Sequence, residues 1–439
     1  MENKENSKKL NVSIHEGFYY NDNANLPTII KEWDNIEKEF NKLKYIACIT
    51  IQIDHFRKIE YLYGSNLHGH MVTQITDILI DLKKTKLREN DLLVMDFSEV
   101  ETYIIFLSAP REKKSNLLLN IENIAERLRI GIQENIFNCF YPYLNEDAQT
   151  KIGYGLIIKN PMISNLRLVL QLLNESKKMG ELNAKNQEFK SKFVLKRLLL
   201  EECIYTLFQP IVDINTLEII GYEALSRGPK NTEYVSPILL FLLAAKSGLS
   251  FELDRLCRKK AFERVKDLLP NTKIFVNTLA TTIHDPEFRG HYLEQLFKDM
   301  EIKPENVVFE ISEKLAIDNY EIFRSALKDY TDIGIVHAND DLGSGHSDLE
   351  RIMELNPGYL KVDISLIRGI DKSRIKQEIV KSMKNLAKGI SSVIIAEGIE
   401  TKEEYETLKA LNIQYGQGFL FATPQENIDP DKKKITLKK

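Results

Sequence analysis

The chain has 439 residues, 43% hydrophobic, 28% charged and 9% aromatic, enough apolar material for sizeable cores and unlike a disordered composition. Lys plus Arg number 60 against 64 for Asp plus Glu, a formal net charge of −4, which argues against bulk nucleic acid as partner but not against one small charged ligand in a local site. The four cysteines (Cys48, Cys139, Cys203, Cys257) lie far apart without a CxxC pair, which speaks against a disulfide framework and a zinc knuckle and fits a reducing cytosol.

Residues 1–40 read as a polar tail followed by a lead-in helix around Ile29 to Phe40 that carries the only tryptophan, Trp33. The opening MENKENSKKLNVSIHEGFYY lacks the apolar run of a signal peptide, and no stretch approaches about 18 uncharged apolar residues. The expectation is a cytoplasmic protein without direct membrane insertion, reached by membrane signals only through a sensor partner. YIACITIQI (Tyr45 to Ile53), TYIIFLSA (Thr102 to Ala109) and TKIGYGLII (Thr150 to Ile158) read as strands with helices between them, giving an α/β domain over 41–186. A charged, apolar-punctuated segment at 187–204 reads as a connecting helix.

Over 205–428 the rhythm is regular. Short apolar runs recur at FQPIVDI, IIGYEAL, KIFVNTL, NVVFEIS, IGIVHAND, YLKVDIS, VIIAEGI and QGFLFA, mostly separated by helical segments, the pattern of a closed (β/α)8 barrel of parallel strands. Residues 429–439 form a basic tail. Polar residues interrupt these runs at Glu223, Asn277, Glu310, Asp340, Asp341, Lys361, Asp363, Glu397 and Gln417, mostly one βα unit apart. Equivalent strand ends of such a barrel converge on its C-terminal face. Carboxylates gathered there repel one another unless cations neutralise them. An all-oxygen set with one amide suits two divalent cations, Mg²⁺ or Mn²⁺, rather than zinc. Two such ions about 3.5–4 Å apart suit phosphodiester cleavage. Any one of these acids alone is more simply a helix cap or a surface ion-pair partner; their conjunction in six of eight runs carries the reading.

GYEALSRGP (Gly221 to Pro229) resembles the signature of EAL-domain cyclic di-GMP phosphodiesterases, and the family's other motifs follow in order: QPIVD (Gln209 to Asp213), FVN, FEISE, DDLGSGHSDL (Asp340 to Leu349), LKVD, AEGIET and QGFLFATP. The resemblance implies metal-dependent hydrolysis of cyclic di-GMP to linear pGpG. By it, Glu223, Asn277, Glu310 and Asp340 ligate one ion, and Asp340, Asp341 and Asp363 surround the second. Glu397 is then the base or a ligand of the attacking water, Lys361 orients that water, and Gln209, Arg227, Glu400 and Gln417 touch the dinucleotide. It also implies a homodimer whose interface is coupled to the site by the loop after Asp341 (Gly343, Ser344, Gly345), anchored by Glu313. Leu342, Ser344, His346 and Asp348 depart from the family's usual DDFGTGYSSL, which bears on regulation.

The first domain resembles a GGDEF diguanylate cyclase at QIDHFRKIEYLYG (Gln52 to Gly64) and at Ile152 to Asn186, with damaging departures. Gln52 replaces a metal-binding Asp, Glu60 and Tyr61 replace the nucleotide-recognising Asn-Asp pair, and FSEVETY (Phe97 to Tyr103) has no glycine pair to let a triphosphate approach the backbone. The expectation is a degenerate, catalytically silent regulatory domain. The alternative for the whole chain is a non-catalytic cyclic di-GMP receptor, distinguished by loss of metal and water residues that are all present here.

Overall fold

The computed structural model describes residues 20–21, 26–96, 101–109, 117–144, 150–264, 272–279, 285, 288, 290–311, 327–343, 352, 356–429 and 432–437. The chain divides into two compact units at Ser191/Lys192.

The first unit is a four-stranded sheet with helices on both faces. Its elements are α1 (Trp33–Leu43), β1 (Tyr45–Ile53), α2 (Phe56–Tyr63), α3 (Ser65–Lys86), β2 (Leu92–Met95), β3 (Thr102–Phe106), α4 (Leu117–Leu144) and β4 (Thr150–Ile158), followed by α5 (Asn165–Leu200). The strand order is β2-β3-β1-β4, every neighbouring pair antiparallel. Successive residues of a strand point to opposite faces. Ile49, Ile51 and Ile53 accordingly meet Phe56, Val72, Ile75 and Phe140 on one face, while Ile46 and Cys48 meet Phe40, Ile104 and Leu172 on the other. With both faces covered, β1 reads as a continuous apolar run.

Gly153 has a packing role: a Cβ there would stand 1.7 Å from the Ser176 carbonyl oxygen, so β4 can lie against α5 only without a side chain at this point. Gln52 lies near the end of β1 with its buried Oε1 unpaired, and Tyr61 on α2 is 90% exposed. Residues 97–100 of the FSEVETY segment lie outside the described residues. The stretch expected as a connecting helix at 187–204 falls, as far as Leu200, in α5, which runs unbroken from Asn165 to Leu200. It contains no proline, and its one glycine, Gly180, costs a helix only about 1 kcal/mol.

The second unit is a closed eight-stranded barrel. Its elements are β5 (Tyr205–Asp213), β6 (Ile219–Arg227), α6 (Pro237–Ser247), α7 (Ser250–Phe262), β7 (Lys273–Thr278), α8 (Gly290–Asp299), β8 (Val307–Ile311), β9 (Val336–Leu342), β10 (Tyr359–Val362), α9 (Ile364–Ile367), α10 (Arg374–Gly389), β11 (Val393–Ala396), α11 (Lys402–Ala410) and β12 (Tyr415–Gly416), closed by β12 against β5.

Two features correct the expected all-parallel barrel. First, β5 runs antiparallel to both of its neighbours, β6 and β12. The reason is the short connection 214–218, in which Asp213 Oδ1 accepts from the Asn215 and Thr216 amides and Leu217 takes a φ of 58°. So few residues close a hairpin but cannot carry a parallel crossover. Second, the last strand is Tyr415–Gly416, and QGFLFA turns away just beyond it. There a Cβ on Gly418 would meet the Ile399 carbonyl oxygen at 2.1 Å, so the chain folds tightly over Ile399.

Among the described residues the four cysteines form no disulfide, and no helix is long and apolar enough to cross a membrane.

Candidate active site

The barrel interior carries an apolar layer of Ile211, Phe275, Val308, Ala338, Tyr359 and Ile395, one residue from each of six strands, with Tyr415 packed against it. On β6 the layer position is Gly221, whose Cβ would come 2.9 Å from the Phe275 ring, so the glycine leaves room for that ring. Side chains two residues apart share a face of a strand. One pleat beyond this layer therefore stand Glu223, Asn277, Glu310, Asp340, Lys361, Glu397 and Gln417. Because β5 runs the other way, its contribution is Gln209, two residues before Ile211 rather than after it. Eight strands thus deliver eight polar side chains to one layer at the C-terminal mouth, the face where barrel enzymes place their chemistry.

Lys361 organises this layer. Its Nζ lies 2.7 Å from Glu310 Oε1, 2.7 Å from Glu397 Oε1, 3.0 Å from Asp340 Oδ1 and 3.5 Å from Glu223 Oε1, with only 1% of its side chain exposed. Asn277 Nδ2 donates to Glu223 Oε1 at 3.1 Å, and Gln417 Nε2 donates to Glu223 Oε2 at 2.5 Å and to Gln209 Oε1 at 3.0 Å. Gln209 Nε2 in turn donates to the Ala422 carbonyl at 3.0 Å.

Burial sets the proton affinities. It would raise Glu223, but the Lys361 ammonium and the Gln417 and Asn277 amides outweigh it and hold the carboxyl below its usual range. Burial and then the Glu223 charge hold Glu310 well above that range. Glu397 is pushed up to about 8 by burial, against the pull of Lys361. For Lys361 burial disfavours the charge, yet Asp340, Glu223, Glu310 and Glu397 together raise it well above the ordinary lysine value.

The layer opens into a cavity of about 330 Å³ lined also by Asp363, Ile364, Glu400 and Phe419. Asp363 caps α9, its Oδ1 accepting from the Ser365 amide at 2.8 Å. Glu400 stands at the rim, 2.8 Å from Arg368 Nη2. Arg227 lies two pleats beyond Glu223 on β6, half-buried and outside the cavity lining, with Nη1 donating to the Ser226 carbonyl at 2.9 Å. Gly343 takes a φ of 104°, a left-handed conformation suited to glycine, and a Cβ there would meet Leu366 at 2.5 Å. Glu313, Ser344, Gly345 and His346, and the side chain of Asp341, lie outside the described residues.

The donor set fits hard divalent cations. Both Glu310 oxygens and Asp340 Oδ1 are buried without a hydrogen bond: those facing Lys361 are within ion-pair distance but lack hydrogen-bond geometry. Among the described residues no three carboxylate, thiol or imidazole groups meet at a point that could hold a metal ion in this arrangement; the ammonium stands among them instead.

Two residues were missed by reading motifs. Arg368 carries no motif signal. Glu404 is legible only as the fourth residue of a T-x-x-E capping box with Thr401, which the structure forms in full.

A family model described as "EAL domain" matches residues 194–424. The cyclic di-GMP phosphodiesterase PdeA of Borreliella burgdorferi is 27% identical over 456 aligned residues, covering 96% of this chain and 67% of that protein. The probable cyclic di-GMP phosphodiesterase PdeB of Escherichia coli is 29% identical, covering 51% of this chain and 43% of that protein, so the chain spans between about two-fifths and two-thirds of these relatives. Among solved structures, the Xanthomonas citri FimX EAL domain in complex with c-diGMP superposes with a TM-score of 0.50 at 17% identity, covering 56% of this chain and 98% of that one. The EAL enzyme Bd1971, cGMP-bound, does so with a TM-score of 0.51 at 21% identity, covering 65% and 83%. At these identities the two likenesses are of fold.

Proposed function

The chain belongs to the EAL-domain family, and on that premise we propose that its barrel hydrolyses cyclic di-GMP to linear pGpG. The observation that carries this reading is the Lys361 ammonium held within 3.5 Å of four carboxylates at the mouth of a barrel cavity. An acidic cluster with one buried cation at its heart is costly to fold and has no evident value to stability.

Glu223, Asn277, Glu310, Asp340, Asp341 and Asp363 are the residues that would hold two divalent cations, Mg²⁺ or Mn²⁺. Such ions supply Lewis-acid polarisation of the phosphodiester and compensation for its charge. Glu397 takes the proton of the attacking water, a role that requires its carboxyl to be ionised. Lys361 orients that water and stabilises negative charge gathering on the phosphoryl oxygens. Gln209 and Gln417, tied to each other and to Glu223, fix the wall against which the substrate lies. Arg227, beyond the cavity, offers a guanidinium fork suited to a phosphate.

The first unit is read as a degenerate cyclase-like domain, silent in catalysis and regulatory in effect, with domain limits at 41–186 and 205–428. The active form is read as a cytoplasmic homodimer governed through the loop after Asp341.

The test is chromatography of cyclic di-GMP incubated with the protein and Mg²⁺ or Mn²⁺. The expected product is pGpG, abolished by Glu223→Ala or Glu397→Ala. Binding without product at any metal concentration would instead make the protein a receptor. The first unit should form no cyclic di-GMP from GTP.

A further inference from the structure

At the rim of the cavity the lining residue Glu400 is ion-paired to Arg368, which lies just outside the lining. Arg368 Nη2 lies 2.8 Å from Glu400 Oε1, and both side chains reach solvent, 64% and 38% exposed. Their backbones, by contrast, are tied down. The Glu404 carboxylate, in a residue only 4% exposed, accepts from the Gly369 amide at 2.8 Å through Oε1 and from the Glu400 and Thr401 amides at 3.0 Å through Oε2. Lys376 Nζ donates to the Arg368 carbonyl at 2.6 Å. One buried carboxylate therefore sets the spacing between the turn after α9 and the loop after β11, with a cation on one and an anion on the other.

An exposed ion pair contributes only about 0–1 kcal/mol, so it opens at little cost and gives the fold little reason to anchor its two ends so firmly. The pair is better matched to a ligand edge that presents two acceptors beside two donors. Guanine is such an edge. Its O6 and N7 accept the fork of an arginine, and its N1–H and N2–H₂ groups donate to a carboxylate, which can only accept. Adenine places an amino group where guanine has O6 and a bare acceptor at N1, so it sets donor against guanidinium and lone pair against carboxylate.

We propose that Arg368, acting beside the cavity-lining Glu400 and positioned with it by Glu404, is a base-selecting residue at the cavity rim that favours guanine over adenine. This rests on the cyclic dinucleotide function proposed above and adds to it a residue outside the family motifs. Opening the ion pair frees both partners at once, and each regains a charge-assisted bond to the base.

The experiment compares cyclic di-GMP with cyclic di-AMP on the full chain with Mg²⁺, for wild type, Arg368→Ala and Arg368→Lys. Selectivity is read as the ratio of kcat/KM values, or of Kd values if the protein binds without turnover. A bidentate arginine–guanine contact is worth about 5- to 150-fold in discrimination. Both variants should lose that factor, the lysine because it keeps the charge without the fork. Arg368 is exposed, so the thermal midpoint should stay within about two degrees of wild type, which separates lost recognition from lost folding. If Arg368→Ala keeps the wild-type ratio, the inference fails and the hydrolase reading stands. If wild type neither cleaves nor binds cyclic di-GMP, the hydrolase reading fails and takes this one with it.

Discussion

Replacing Lys361 by methionine keeps most of the side-chain volume and removes the one cation among Glu223, Glu310, Asp340 and Glu397. At an effective dielectric constant of about 20, a unit pair separated by about 3 Å attracts by roughly 5–6 kcal/mol gross. Most of that is offset by desolvation, and breaking a buried pair by deleting one partner costs about 3–5 kcal/mol net. For a unit the size of the barrel, each kcal/mol moves the melting midpoint by roughly 2–4 °C, so Lys361→Met in EDTA should melt about 6–20 °C below wild type. Scanning calorimetry reads this directly. Added Mn²⁺ or Mg²⁺ should then raise the variant's midpoint more than the wild type's, because binding to the native state stabilises it in proportion to the logarithm of occupancy and no ammonium competes for the carboxylates. If Lys361→Met melts with wild type in EDTA, the cluster is not held together by that ammonium and the electrostatic account of the site is wrong.

Other consequences concern each unit separately. His337 on β9 is buried and its imidazole is pushed down to about 4, so the unfolded chain takes up the proton first as pH falls below about 6.5. The barrel should keep this stability above pH 6.5 and lose about 3 kcal/mol of it between pH 6.5 and 4. His337→Gln should flatten that part of the curve, and parallel melting-versus-pH profiles for the two proteins would refute the assignment. In the first unit, Gly153→Ala forces a methyl group to 1.7 Å from the Ser176 carbonyl, and β4 must move off α5. A loss of about 3 kcal/mol or more is expected in urea unfolding of that unit, and a loss below about 1 kcal/mol would mean the contact yields without strain.

Much of the site was legible because a barrel repeats itself. Each strand passes from apolar layer to polar layer in two residues, so Phe275 to Asn277, Val308 to Glu310, Tyr359 to Lys361 and Ile395 to Glu397 are visible as the same step along the chain. What the linear pattern does not carry is direction. Gln209 precedes Ile211 where every other polar residue follows its apolar partner, and only the antiparallel pairing of β5 explains why it shares their layer.

By itself, then, the sequence determined the periodic strands, the residue types at each strand end and the family motifs, because these depend on local spacing and chemistry. Only the tertiary structure decided that one strand is reversed, that α5 is unbroken, that Lys361 faces four carboxylates at once and that Glu404 ties two rim loops together. Those are relations between residues distant in the chain, set by closure of the barrel and by which backbone amides it leaves without partners, and no local pattern encodes them.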